Sequence, residues 1–464
     1  MIALDPKSRR PLYEQLYREL EEEILAGQYQ PGQTLPGRRT MAERLGVSVN
    51  TVDTAYQMLA AAGIVESAER RGFIVQDTGG MLHVYHPPAT GMPAGTERRT
   101  GMTDLSTGSI DTGLFPVRQW GRIQRELLYH NQELWQRGDM QGDLNLREQI
   151  AAYLSASRGV ECTPEQIVVG AGIEYLLGCL AHLFQGSVAA IENPGYSRTK
   201  AVLENCGIRT RLVNIDAGGL PADALRESGA NICYITPSHH FPTGVTMPAR
   251  RRAQLLTWAE EREDRYILED DYDSEFRFDI RPLPSLQGMA GKRGHVIYLT
   301  TFSKSLAPGI RIACMVLPEN LLQRYRQDFA LYANTVSRVE QQTLADFMAE
   351  GFFTRHIGRM RHAYKKRKTA FAAALRTELG GGLTIRSEHS GLHFLLTYPE
   401  AGSERDMIRS AEREGILIRG LSDYYMADAE SCPPSTVVAG YAGLDPSLIE
   451  ETAAALARAW RART

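Results

Sequence analysis

Between residues 167 and 301, five short apolar runs punctuate the sequence: IVVG (167–170), VAAIE (188–192), NICYIT (231–236), YILED (266–270) and VIYLTT (296–301). Runs so short and so uniformly apolar read as strands with both faces buried. The stretches between them, among them 175–184, 198–205 and 249–262, carry the apolar spacing of amphipathic helices. Such alternation implies a mainly parallel sheet with helices on both faces, an α/β fold. After Pro318 the pattern turns helical, from 321 to about 379. A small α+β part closes the chain, with GLHFLLTY (391–398) as a strand and 407–414 and 447–459 as helices.

Upstream of this unit the composition changes once. GGMLHVYHPPATGMPAGTERRTG (79–101) holds five Gly and three Pro in 23 residues and no sustained periodicity, the signature of a linker. The chain is therefore divided into a head (1–78), a linker (79–103) and a large unit (104–464) whose smaller C-terminal part begins near 380. No internal repeat is found. In the head, Pro11 opens a helix with Leu12, Leu16, Leu20, Ile24 and Leu25 on one face, closed by Gly27. A short helix, 40–45, ends at Gly46, and Ser48 caps a third, 49–62. Two β segments, 64–67 and 72–75, follow. Three helices and a hairpin make a winged helix-turn-helix, whose third helix enters a DNA major groove. The candidate DNA contacts are Arg38, Arg39 and Arg44 before that helix, Ser48, Asn50 and Thr51 at its start, and Arg70, Arg71 and Gly72 in the hairpin.

Charge does not advertise this partner. The head holds nine Lys/Arg against eleven Asp/Glu, and the whole chain has a formal charge of −3. Glu19, Glu21, Glu22 and Glu23 sit together on the first helix, which can face away from a duplex, so the local basic strip matters more than the sum. Six scattered cysteines with no C-x-x-C pair argue for free thiols and against a zinc ribbon. No run of 18 apolar residues and no signal pattern is present, so a soluble, cytoplasmic protein without membrane contact is expected.

The large unit concentrates its chemistry at the ends of its strands. Lys304 follows the apolar strand in VIYLTTFSKSLAPGIRIACMVLP (296–318), ahead of a Pro/Gly turn. In EDDYDSEF (269–276), Asp270 and Tyr272 stand two residues apart at a strand end and face one side together. VVGAGIEYLL (168–177) runs strand, small-residue turn, helix, so the N–H groups of Gly172, Ile173 and Glu174 can point at a phosphate. ENPGYSR (192–198) sets Tyr196 in a turn, while Arg311 and Thr301 flank the lysine. Pyridoxal phosphate needs such a set: an amine for a Schiff base, a carboxylate for its ring nitrogen, a phenol for its 3-oxygen, an aromatic to stack, and a phosphate cradle. By itself, EDDYDSEF also fits a solvated acidic loop, or a metal site of Asp270, Asp271 and Asp273, but no histidine or second carboxylate cluster stands at matching spacing. No metal is expected.

The stretch LPGRRTMAERLGVSVNTVDTAYQMLAAAGIVESAERRGFIV (35–75) resembles the GntR-type winged helix, with Gly37 and Val49 where that family usually has Ser and Arg. Residues 104–460 resemble fold-type I aminotransferases through TPSHHFPTG (236–244), EDDYDSEFRF (269–278) and TFSKSLAPGIR (301–311). The fusion resembles the MocR-type regulators. The resemblance implies Lys304 as the Schiff-base lysine, Asp270 at the ring nitrogen, Tyr272 at the 3-oxygen, Tyr196 stacked on the ring, and Arg311 and Thr301 at the phosphate. It also implies a head-to-tail homodimer on a double-stranded DNA operator, controlled by pyridoxal phosphate or by an amine or amino acid condensing with it. Three positions depart from the aminotransferase pattern. Arg137 stands where a partner tyrosine usually precedes the G-D-x-x-G motif; His240 is expected to replace the asparagine that meets the cofactor oxygen; Val438 replaces the carboxylate-binding arginine, for which Arg419 is the stand-in. The loss at Val438 counts against ordinary amino-acid transamination and so favours a regulator over the alternative, an active aminotransferase with an accessory DNA-binding head.

Overall fold

A computed structural model describes residues 4–5, 10–68, 71–77, 102–278, 283–291, 294–387 and 390–461. The chain divides into two compact units, Met1–Arg98 and Arg99–Thr464.

In the first unit, helices Leu12–Leu25, Arg38–Leu45 and Val49–Ala61 are followed by an antiparallel hairpin, Val65–Ala68 with Gly72–Val75. Leu16, Leu20, Val52 and Leu59 are buried among them, and Phe73 of the hairpin meets Tyr56 edge-on at 5.1 Å. The turn between the second and third helices is local chemistry. Gly46 takes φ +66°, a left-handed conformation that closes one helix, and Ser48 Oγ accepts the Thr51 N–H at 3.0 Å to open the next. The second helix begins at Arg38, two residues before the 40–45 expected, so Arg38 and Arg39 form its first turn.

The second unit is built on a seven-stranded sheet in the order Ile167–Gly170, Ala313–Val316, Val296–Thr301, Tyr266–Asp270, Ile232–Ile235, Val188–Asn193, Arg209–Asn214. The five expected strands are present and all its pairings are parallel except those of Ala313–Val316. Two strands escaped the sequence reading. Arg209–Asn214 lies at the sheet edge and alternates exposed and half-buried positions, so it shows no continuous apolar run. Ala313–Val316 is fully buried but only four residues long, directly behind the lysine loop. Alternate side chains serve opposite faces: Leu268, Leu299 and Met315 pack into one core, Tyr298 and Cys314 into another. Asp270 and Thr301 therefore end the same face as Leu268 and Leu299.

The helical stretch from 321 to 379 is three helices, Glu319–Asp328, Arg338–Ala349 and Phe352–Leu379, the last two parted at Gly351 (φ +72°). The C-terminal part carries a four-stranded antiparallel sheet in which His393–Thr397 is the expected strand, with helices Glu404–Arg413 and Ile449–Arg461. Thr103, read with the linker, pairs with Ile416 in a short parallel ladder inside this unit. All six cysteines are free thiols. Among the described residues no helix is long and apolar enough to cross a membrane.

A lysine-centred cavity and a winged-helix surface

At the C-terminal ends of the parallel strands lies a cavity of ≈ 230 Å³, room for a small organic group. Lys304, Asp270, Tyr272, Tyr196, Thr301 and Arg311 all line it. Gly172, Ile173 and Glu174, at the start of helix Ile173–Leu183, line it too.

Each side chain is held by its element. Lys304 Nζ donates to the carbonyls of Thr107 (2.6 Å) and Gly108 (3.4 Å). Burial pushes its ammonium down to about 8, against the opposing pull of Asp273, so a sizeable neutral fraction exists near neutral pH. Asp270 is buried, and burial pushes its carboxyl up to about 7 despite the Tyr234 hydroxyl that donates to Oδ2. Its Oδ1 is buried with no hydrogen-bond partner. A buried, half-satisfied carboxylate is costly unless a cationic donor meets it. A protonated pyridine nitrogen is such a donor, so the acid fits pyridoxal phosphate. Tyr196 lies flat on Phe241 (3.9 Å between centroids) and edge-on to Tyr272 (5.9 Å). Thr301 Oγ1 and Ser303 Oγ are 2.8 Å apart.

The helix start at Gly172 brings two arginines to a helix N-terminus. Gly172 has φ +102°, which favours glycine, and a Cβ there would come within 2.5 Å of Arg311 Nη2 and displace the guanidinium. The Glu174 carboxylate bridges Arg198 (3.1 Å) and Arg311 (3.1 Å). Burial would raise it, but its own N–H and these two arginines outweigh that and hold it below the usual range. An arriving phosphate would meet two arginines and a helix N-terminus, with Glu174 as its competitor.

Two expected residues lie elsewhere. His240 is not among the lining residues: its Nδ1 is 2.8 Å from Thr243 Oγ1, and burial pushes it down to about 3. Its neighbour His239 does not line the cavity either but meets a residue that does, with Nδ1 3.0 Å from Tyr272 Oη and 2.9 Å from Asp273 Oδ2. Sequence reading missed the choice because both precede the same cis proline turn. Arg419 is exposed on its strand, outside the cavity and paired in register with Val438. Arg198, Tyr234, Ser303 and the Thr107–Gly108 carbonyls were also missed. Tyr234 hid as an ordinary apolar strand residue, whereas Arg198, two residues after Tyr196, was visible as a cation beside the cradle.

On the head, Arg39, Arg44, Asn50 and Arg71 are exposed. Arg38 is paired with Asp53 of the third helix, and Thr51 Oγ1 lies 2.8 Å from Ser48 Oγ. Gly72 takes φ +87° at the hairpin, which favours glycine there. Arg70 lies outside the described residues.

Residues 12–75 match the gntR family of bacterial regulatory proteins, and residues 100–456 match aminotransferase class I and II. Together they define a class: transcription regulators with a DNA-binding winged helix and an effector unit of aminotransferase fold. The chain is 33% identical over 476 residues to the "Probable rhizopine catabolism regulatory protein MocR" of Rhizobium meliloti (97% of this chain, 94% of the relative). It is 30% identical over 435 residues to the HTH-type pyridoxine biosynthesis transcriptional regulator PdxR of Corynebacterium glutamicum (91% of each). Its fold matches LysN, an alpha-aminoadipate aminotransferase from Thermus thermophilus solved with N-(5'-phosphopyridoxyl)-L-leucine, with TM-score 0.67 and 26% identity over 78% of this chain and 93% of that one. The chain belongs to the MocR-type regulators of the gntR family.

Proposed function

We propose that this regulator holds pyridoxal phosphate on Lys304 and that the cofactor's arrival changes its affinity for an operator. The observation that carries the reading is the pairing, across one cavity, of a lysine shifted towards neutrality with a buried carboxylate that lacks a partner on one oxygen. Bound there, the cofactor supplies an aldehyde that condenses with amines and a ring that withdraws electrons. Asp270 keeps a proton on the ring nitrogen, and Tyr272, oriented by His239, donates to the 3-oxygen. Tyr196 covers one face of the ring and excludes water from it. The Ile173 N–H, with Arg311 and Thr301, holds the phosphate, joined by the Glu174 N–H once its own carboxylate gives way. The expected Gly172 N–H is spent on the Gly170 carbonyl at 2.8 Å, so Gly172 serves the site only by leaving room.

With Val438 in place and Arg419 exposed outside the cavity, the cations among the described lining residues besides Lys304 are Arg198 and Arg311, both engaged by Glu174. That supports the cofactor itself as the effector, as does the name of the pyridoxine biosynthesis regulator among the relatives. Amines and amino acids are the next effector class. The regulator acts in the cytoplasm as a head-to-tail homodimer reading two half-sites, and the effector shifts it between two arrangements by its differential affinity for them.

Borohydride fixes the adduct between a lysine and pyridoxal phosphate. Protein isolated with ample cofactor should show the visible absorbance of a lysine-linked pyridoxal phosphate and, once reduced, carry the tag on Lys304. Lys304→Ala should lose both while keeping its circular dichroism. A colourless wild type, or a tag on another lysine only, overturns the reading.

A further inference from the structure

The helix Phe352–Leu379 carries eight Lys/Arg and one acid, Glu378, in a chain whose overall charge is −3. One face belongs to the core, with Phe353, Ile357, Met360, Tyr364 and Phe371 buried. The opposite face presents Arg355, Arg359, His362 and Lys366 in a single exposed row, with Arg361 and Lys365 beside it. No large apolar side chain is exposed on this helix between 354 and 370.

Elsewhere the chain neutralises such cations along a helix, as in Arg122–Glu126, Lys200–Glu204 and Arg324–Asp328. Here Arg355, Arg359, Arg361 and Lys366 make no ion pair among the described residues. Arg355 donates to the Glu350 carbonyl and lies over Phe352, and Arg361 donates to the Glu275 carbonyl. Like charges four residues apart, Arg355 with Arg359, destabilise a helix. Gly358 stands in the middle of the row, where glycine weakens a helix further, and a Cβ there would meet nothing within 4 Å. Open grooves flank it: Arg355, Arg359 and His362 line one, and Arg361 and Arg277 line the other. Arg277 Nη2 is buried there with no hydrogen-bond partner; Glu275 is the carboxylate that shares this second groove. A segment that keeps repulsion, a backbone gap and a guanidinium nitrogen without a hydrogen bond together is shaped for an anion with repeated charges, although Asp271 and Asp273 already attract that guanidinium.

We propose that this face is a second DNA-contacting surface, in which the row from Arg355 to Lys366 takes the phosphate backbone of duplex DNA. The proposal rests on the DNA-binding reading of the head and adds a site on the effector unit. The row spans roughly 16 Å at 1.5 Å per residue, a length that follows about five base-pair steps of one strand. Contacts of this kind position a duplex without reading its sequence, and they supply the electrostatic attraction that a head with nine cations and eleven acids lacks. A membrane surface is disfavoured because amphipathic membrane helices pair their cations with apolar side chains that insert, and this face has none.

The test uses the full chain and a random-sequence duplex in a salt series. In the triple variant Arg355→Gln, Arg359→Gln, Lys366→Gln, the slope of log K against log salt should flatten by about 2 to 3, at roughly 0.9 per lost phosphate contact. Its melting temperature should stay close to the wild type's, since the Arg355 contacts with the Glu350 carbonyl and Phe352 are lost together with the Arg355–Arg359 repulsion; a merely structural role would lower it clearly. A control with three other exposed cations neutralised, Arg209→Gln, Arg211→Gln and Arg250→Gln, should keep the wild-type slope. Wild-type slope in the first variant overturns the proposal, and so does an unchanged duplex slope with lost binding to anionic vesicles. A wild-type chain that binds no duplex at all overturns the DNA-binding reading itself.

Discussion

Asp270 and Lys304 are displaced in opposite directions by the same cause, burial, and this gives the cofactor-free protein a definite pH profile. Burial pushes Asp270 and Glu275 up to about 7 and Glu192 up to about 8, from ordinary values of 3.8 for the aspartate and 4.5 for the glutamates. Their unfolded forms release protons first, so these groups make stability fall as pH rises. His240 and His393, pushed down to about 3 by burial, act the other way, but only up to their unfolded value of 6.5. Lys304, held down to about 8 from 10.5, begins to add stability only above about 8. The melting temperature of cofactor-free protein should therefore decline between pH 6.5 and 8, and Asp270→Asn should flatten that decline while weakening cofactor binding. A wild-type curve that rises through this window contradicts the account. Asp270 was legible in the sequence because a strand end fixes that it faces one side with Tyr272, and Lys304 because it directly follows an apolar strand. The His239 and His240 choice was not, because adjacent residues in a turn have no periodic rule to separate them.

Helix starts carry both binding surfaces. Ser48 caps the third helix of the head through the Thr51 N–H, and Ser48→Ala should cost about 1 kcal/mol and loosen the residues that meet DNA. Hydrogen exchange over Val49–Ala61 should speed up and duplex affinity should fall; unchanged exchange contradicts a capping role. Gly172 starts the helix at the cradle, and Gly172→Ala should both strain a φ of +102° and push Arg311 aside. A stability loss of about 1–3 kcal/mol and weaker cofactor uptake, read by absorbance titration, are expected. Elements with a strong pattern or a capping signal were legible. The edge strand Arg209–Asn214 was not, because half-exposed pairing leaves polar residues at alternate positions. The break at Gly351 was not either, since glycine inside an amphipathic stretch reads as tolerated.

The two units and their order were legible from a single change in composition, whereas assembly has no sequence period to betray it. In the second unit, Trp135 (67% exposed), Leu331 (89%), Leu144 and Tyr332 leave large apolar side chains in solvent, with Arg137 tied to the Leu331 carbonyl at 2.8 Å. The proposed homodimer would cover apolar groups of this kind, and on that proposal Trp135→Asp with Leu331→Asp should lower the sedimenting mass to that of a monomer and weaken operator binding; an unchanged mass contradicts this. The central claim is coupling between the lysine cavity and DNA. It is tested most directly by the binding isotherm of the duplex upstream of the protein's own gene, at fixed salt, with and without pyridoxal phosphate. The cofactor should shift the wild-type Kd by about 5-fold or more and leave Lys304→Ala where it was. A wild-type Kd that does not respond to the cofactor, or an equal shift in Lys304→Ala, contradicts it.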